Sequence, residues 1–446
     1  MKRILAIALA LSMLLSIVGV ASADRNLVFG TWWEIYYDSS DESVEANGGT
    51  GTDKDYAMFD NVKQIEETYG VTYDWENLTY QGIVDSINNS ILAGEPDCDV
   101  YMAELGFGVP ALLNGLGTDM RDVLDPDDPL LKGEDPVLGY VALPNGAVSL
   151  LAVKGAQTQI EATYPLAFNL QMIEEANLED PRALVERGEW TWDKFREYCN
   201  ILTRDLDGDG VTDVYGYGGW MGDFLLYWCF SNGTYIAATA QENLSSPEVG
   251  ETLKFLQDLY VTDQCAYPIP AENGWDVCRW LYRDKKVAFA TTAVWILDNY
   301  KDYTGDSPLD FDMVFVDYPT GPSGNPETNA MKKAASNYYF IPAGVEDPKL
   351  VYDVFRAYQN WYHDDIELRD QVDDWWYEST SSDLDLQEWN FDVMMKMGSR
   401  ETVDFLDLCI NDIDFMGLLH GDITPAQLQE TYKQVVQDML DSLFNN

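Results

Sequence analysis

The stretch "GEWTWDKFREYCNILTRDLDGDGVTDVYG", Gly188 to Gly216, makes three structural statements in succession. Thr191 stands where an N-cap belongs, and Trp192, Phe195, Tyr198 and Cys199 recur at the spacing that puts side chains on one helical face. The helix runs into an Asp- and Gly-rich turn, and the turn into a short strand. In that turn Asp205, Asp207, Asp209, the Val211 carbonyl and Asp213 take positions 1, 3, 5, 7 and 9 of a calcium loop, with Gly210 at the sharp bend. Position 12, where a bidentate Glu belongs, is Gly216, so the remaining oxygens must come from elsewhere or from water. The same aspartates, with no ion, also serve as caps for local backbone N–H groups. The expectation is a structural Ca2+ rather than a catalytic one, with no cofactor required.

Strand and helix signals alternate on both sides of this block. "RNLVFGTWW" reads as a strand running into a loop with Trp32 and Trp33, and "DNVKQIEETYG" as a helix with Asp60 as N-cap and Gly70 as stop. "VTYDW", "CDVYMAEL", "AVSLLAVKG", "VAFATTAV" and "FDMVFVDYP" read as strands, "YQGIVDSINNSILAG" and "FNLQMIEEA" as helices. Alternation of this length predicts an α/β chain with mostly parallel sheets. From Asp347 the pattern turns to long helices, the last beginning at Thr424 and Pro425. There is no fixed-period repeat and no low-complexity linker. Two cores without a tether predict interleaved lobes joined by short crossovers, closing on a ligand between them.

Composition narrows the function. Lys2 and Arg3 precede an apolar run, Ile4 to Val20, that ends in Ala21, Ser22 and Ala23, the pattern of a signal peptide over residues 1–23. The chain is expected to work outside the cytoplasm. With 27 basic and 77 acidic residues its formal charge is −50, which repels nucleic acid and anionic membrane surfaces. A hydrophobic content of 46% excludes a disordered acidic chain. Six cysteines without CxxC spacing, which read either as buried free thiols or, for Cys265 and Cys278, as a pair, and two isolated histidines, His363 and His420, argue against a zinc site or His-based catalysis. No GxxxxGK[ST] or GxSxG motif occurs. "GFGVPA", Gly106 to Ala111, is a weak dinucleotide fingerprint placed too far into the chain.

The block from 162 to 216, with "FNLQMIEEANLEDP" before "TWDKF" and "LTRDLDGDGVTDVYG", resembles the family 1 extracellular solute-binding proteins, the carbohydrate receptors of ABC importers. "ILAGEPDCDVYMAE", "FSNGTYI", "KKVAFATTAVWIL", "FVDYPTGPSG" and the closing "TPAQLQETYKQVVQDML" extend the likeness over most of the chain. The resemblance implies a two-lobed, type II-like periplasmic-binding-protein fold, each lobe a sheet flanked by helices, with extra C-terminal helices. It implies a carbohydrate ligand, permease subunits of an ABC transporter as partners, a monomer, and no enzymatic activity. Two features depart from the family. No cysteine precedes Cys98, which excludes anchoring by a lipid-modified cysteine after the signal, and "SSDESVEANGGTGTDKDYAM" is an insert after the first strand.

Sugars offer an apolar C–H face and a rim of hydroxyls, so a binder needs aromatic platforms with short polar groups, and open sheets collect ligands at strand carboxyl ends. Trp32, Trp33, Glu104, Trp220, Trp295, Asp298 and Tyr338 are the candidates on this rule, and the resemblance adds that Trp295 matches the family's cleft tryptophan. Trp33, Trp228 and Trp280 also read as core. Crossovers near residues 145, 300 and 345 would divide the chain into 24–145 plus 300–345 and 146–299 plus 346–446. The rival function is a secreted, calcium-stabilised glycoside hydrolase, although no eightfold βα spacing is present.

Overall fold

The computed structural model describes residues 25–444 apart from 35–36, 41–52, 155–162, 220–222, 271–276, 294–295, 298–308, 328–331, 334–336, 373–376 and 378. Two sheets organise them. The first contains β1 (Arg25–Thr31), β2 (Val71–Asn77), β3 (Val100–Ala103), β4 (Leu138–Val141), β5 (Leu150–Val153) and β11 (Tyr338–Phe340), in the order β2-β1-β3-β11-β5-β4. The second contains β6 (Leu166–Asn169), β7 (Tyr215–Gly218), β8 (Val287–Thr291) and β9 (Met313–Val316), in the order β7-β8-β6-β9. A two-residue pairing of β10 (Lys332–Lys333) with β12 (Glu401–Thr402) stands apart from both.

Strand direction follows one rule in both sheets. β1, β2 and β3 are parallel, and β5 runs the same way, while β11 is antiparallel to both of its neighbours, β3 and β5. β7, β8 and β9 share a direction, and β6 runs against its neighbours β8 and β9. β11 and β6 are the strands by which the chain enters one sheet from the other, and each is inserted mid-sheet. The parallel majority expected from sequence is therefore interrupted in each lobe by an incoming strand, and by β4 at one edge.

The sheets divide the chain later than the sequence reading did. β5 belongs to the first sheet although it lies past 145, because it completes a hairpin with β4, Leu138 opposite Val153. β9 belongs to the second sheet although it lies past 300, because it borders β6, Ala167 opposite Phe315. The helix Pro348–Gln359 also stays with the first lobe. Its Ala357 carbonyl accepts from Asn61 Nδ2 at 3.1 Å, and Arg356 forks onto buried Asp135 at 2.7 and 2.9 Å. Burial pushes the Asp135 carboxyl up, but the Arg356 fork and the Val137 N–H hold it below its ordinary value.

Local rules account for the elements. β3, β6, β8 and β9 are buried along their length, as continuous apolar runs must be when helices cover both faces. The helix Trp192–Leu202 forms as expected, with Thr191 Oγ1 accepting from Lys194 N and Trp192, Phe195, Tyr198 and Cys199 buried. They join Trp228, Phe255 and Phe289 in an aromatic core in which Trp192 stacks on Phe255 at 4.4 Å. Gln427 and Thr424 form a reciprocal cap at the start of the helix Pro425–Phe444. One boundary differs: Asp60 lies inside the helix Asp53–Tyr69 rather than capping it. The helix ends at Gly70, whose φ of +67° only glycine adopts cheaply.

Candidate functional site

The register of β1 with β2 and β3 puts three carboxyl ends on one edge, Thr31 opposite Asn77 and Gly30 opposite Tyr101. The residues that follow these ends therefore meet. Trp32 and Trp33 pack edge to face at 5.0 Å, and Trp32 contacts Tyr80 and Phe107, each at 5.9 Å. Tyr80 and Phe107 close the group at 5.7 Å. Trp33 remains 38% exposed and Tyr80 50%, so the group presents ring surface to solvent rather than sealing it in a core. Polar groups border the rings. Tyr80 Oη donates to Glu104 Oε2 at 2.9 Å, and Asn77 Nδ2 donates to Glu34 Oε1 at 3.0 Å. Apolar faces edged by carboxylate and amide groups can stack on a sugar ring and accept from its hydroxyls.

Of the sequence candidates the structure brings Trp32, Trp33 and Glu104 together here, beside Tyr80, Phe107 and Glu34, which sequence reasoning did not single out. Tyr80 was within reach of the same strand-end rule, since it follows β2 as Glu104 follows β3. Phe107 was not, because it sits on the helix Leu105–Leu113 and reads there as core. Tyr338 is placed opposite Ala103, next to Glu104, but is only 1% exposed, so its ring is part of the sheet interior. Trp220, Trp295 and Asp298 lie outside the described residues. The strands that precede the two tryptophans end side by side, Gly218 opposite Ala290. Thr292, directly after β8, is buried, with no hydrogen-bond partner for its Oγ1 among the described residues. Of the tryptophans also read as core, Trp228 is fully buried, while Trp280 is partly buried between the Arg279 and Arg283 guanidiniums, 4.6 and 4.9 Å from its ring.

The second lobe reaches the site helix directly. A Cβ at Gly106 would lie 3.2 Å from the Asp407 carbonyl oxygen, two residues after Glu104. Asp407 belongs to a 3-10 turn, Phe405–Leu408, that buried Asp404 fixes by accepting from Ile236 N at 2.8 Å and Leu406 N at 2.9 Å.

The Asp turn lies apart from this edge, between the helix Trp192–Leu202 and β7. Arg204 and Val214 bridge its base. Asp205, Asp207 and Asp209 each offer a carboxylate oxygen, all within 4.8 Å of one another, and all three residues are exposed. The oxygens also serve the backbone: Asp205 accepts from Gly208 N and Gly210 N at 2.7 and 2.8 Å, and Asp209 from Val211 N at 2.7 Å. The Gly210 and Gly208 amides hold the Asp205 carboxyl below its ordinary value. Asp213 does not join the cluster; its Oδ2 accepts from Leu206 N at 2.8 Å. The donor set, hard carboxylate oxygens on a tight turn, fits Ca2+, and the local capping already present pre-shapes the loop.

Two sheets between which the chain crosses more than once, with an aromatic group at the strand ends of the first, make a two-lobed α/β architecture. Bacterial extracellular solute-binding proteins match residues 48–360, and the chain belongs to that family. Among curated proteins no sequence match is found. The fold is shared with solved structures across almost their whole length. A substrate-binding protein of Listeria monocytogenes in complex with cycloalternan is 13% identical, with 93% of this chain and 99% of that one covered at a TM-score of 0.59. A solute-binding protein of Thermotoga lettingae bound with α-D-tagatose is 15% identical over 93% and 99%, at 0.60. The GacH receptor of Streptomyces glaucescens, solved unliganded and with acarbose, is 13% identical over 95% and 99%, at 0.59. No helix among the described residues is long and apolar enough to cross a membrane.

Proposed function

We propose that the protein captures a sugar or oligosaccharide between its lobes and delivers it to the permease subunits of an ABC importer, with no chemical step. The observation that carries this reading is the aromatic edge of Trp32, Trp33, Tyr80 and Phe107 bordered by Glu34 and Glu104. Cycloalternan, tagatose and acarbose in the related folds support the ligand class. Nothing in the family or in these folds favours the glycoside hydrolase reading. In the proposal Trp220, Trp295 and Asp298 supply the opposing wall, and binding works as a population shift toward the state in which both lobes touch the ligand. The protein acts as a monomer outside the cytoplasm, exported by the leader over 1–23, with Ca2+ held by Asp205, Asp207, Asp209 and the Val211 carbonyl as a structural ion.

The test is a thermal-shift screen against mono- and oligosaccharides, followed by analysis of each recovered sugar. A ligand that binds only the folded state raises the melting temperature by mass action, by about 2.7 kcal/mol of stability at a hundred times Kd. Sugar recovered intact with a saturable shift is the expected result. Cleaved sugar would make the protein a hydrolase, and no shift with any sugar would remove the carbohydrate reading.

A further inference from the structure

All six cysteines are buried free thiols in this structure, and the surroundings of Cys199 hold a second of them, Cys265. Cys199 lies on the buried face of the helix Trp192–Leu202, and Cys265 lies just past the π-turn Asp258–Thr262. Both are fully buried. β7 brings them together: a Cβ at Gly216 would lie 2.3 Å from Cys199 Cα, and the next residue, Tyr217, donates its N–H to the Cys265 carbonyl at 3.1 Å. Thr203 Oγ1 lies 2.8 Å from the Cys199 carbonyl oxygen and 3.4 Å from that of Cys265, so one hydroxyl sits between the two backbones. After burial, the Cys265 side chain is the next cause that pushes the Cys199 thiol up, so the two side chains are neighbours. An ion pair outside the core, Arg196 with Asp263 at 2.8 Å, clamps the same two segments. The two segments are thus held side by side across β7 by contacts that do not depend on a disulfide.

We propose that Cys199 and Cys265 are joined as an intrachain disulfide when the chain folds outside the cytoplasm. The pairing differs from both sequence alternatives, free thiols or Cys265 with Cys278. The electrons go to a donor disulfide: one cysteine thiolate attacks RSSR to form a mixed disulfide and releases RSH. The second displaces the remaining RS group, so two thiols are oxidised and two RSH leave. Oxidation precedes closure of the core, because burial in the folded state pushes the Cys199 thiol well up and removes the thiolate. Burial afterwards shields the bond from reductants, which makes it a permanent staple across the second lobe and not a switch.

The experiment uses the full chain, secreted from a host and denatured in the presence of an alkylating agent without reductant. The expected result is four alkylated cysteines of the six, Cys98, Cys229, Cys278 and Cys409, and one linked peptide containing Cys199 and Cys265. Reduction in denaturant then frees all six, and the Cys199→Ala/Cys265→Ala protein melts about 5–10 °C below the oxidised one. Six alkylated cysteines in the secreted protein, or a linked pair containing Cys278, overturns the proposal. Export rests on the functional reading above, so the same count is made after refolding with oxidised and reduced glutathione. Retention inside the cell would sink the export reading alone, and the refolded count then decides: a Cys199–Cys265 peptide supports the pairing, and its absence overturns it.

Discussion

Trp228 and Trp33 are the same side chain put to opposite uses. Trp228 is fully buried in the second lobe, its indole N–H donating to Tyr217 Oη at 3.1 Å and its ring against Phe195, Phe255 and Tyr318. Trp33 stands at the end of β1, packed on Trp32 yet over a third exposed. The difference lies in position relative to the sheet. A tryptophan on a helix between strands spends its ring area on the fold, while one at a strand's carboxyl end keeps a face for something that is not yet there. Both regions are dense in aromatic residues, and only geometry separates a core from a platform.

Substitution tests that separation. Trp228→Ala is expected to cost about 3–5 kcal/mol of folding stability, because it opens a large cavity and removes the indole N–H that donates to Tyr217 Oη; a urea midpoint close to that of the unaltered protein would put the core elsewhere. Trp33→Ala is expected to leave the midpoint of the unliganded protein nearly unchanged and to weaken binding of whichever sugar the screen returns by about 10- to 100-fold. An unchanged Kd in a calorimetric titration would show that the exposed ring is surface and not platform. The smallest effect belongs to the Asp turn. Calcium should raise the melting temperature by about 2–5 °C, and Asp205→Asn should abolish that rise without altering the sugar Kd. Coupling of sugar affinity to the turn would break the distinction between the two regions.

What could be read from sequence follows the range of the interactions involved. Thr191 and the face from Trp192 to Cys199 are governed by neighbours within a few positions, and the structure has them as read; in the Asp turn it brings Asp205, Asp207 and Asp209 together and leaves Asp213 aside. Lobe membership is not local. β5 belongs to the first sheet because of a hairpin to β4 and β9 to the second because of β6, and neither pairing leaves a mark in its own strand. Asp60 misled because a helix start needs only one good cap, and here the helix extends upstream to Asp53. At the site, strand ends led to Trp32, Trp33 and Glu104, whereas Tyr338 failed for a topological reason. It opens a strand that runs against β3, so it reaches the same edge from within the sheet and is covered there.

The mid-sheet position of the two incoming strands also sets an order of assembly. β3 and β5 are made early, but the slot between them is filled only by β11, from far along the chain and after most of the second lobe. Until then the first lobe is two half-sheets with open edges and cannot close its core. No contiguous segment of this protein corresponds to a lobe, so a chain cut short anywhere before Tyr338 yields no finished domain. A polypeptide that cannot complete either half until nearly all of it has been synthesised stays threadable for longer, as the proposed export ahead of folding would require.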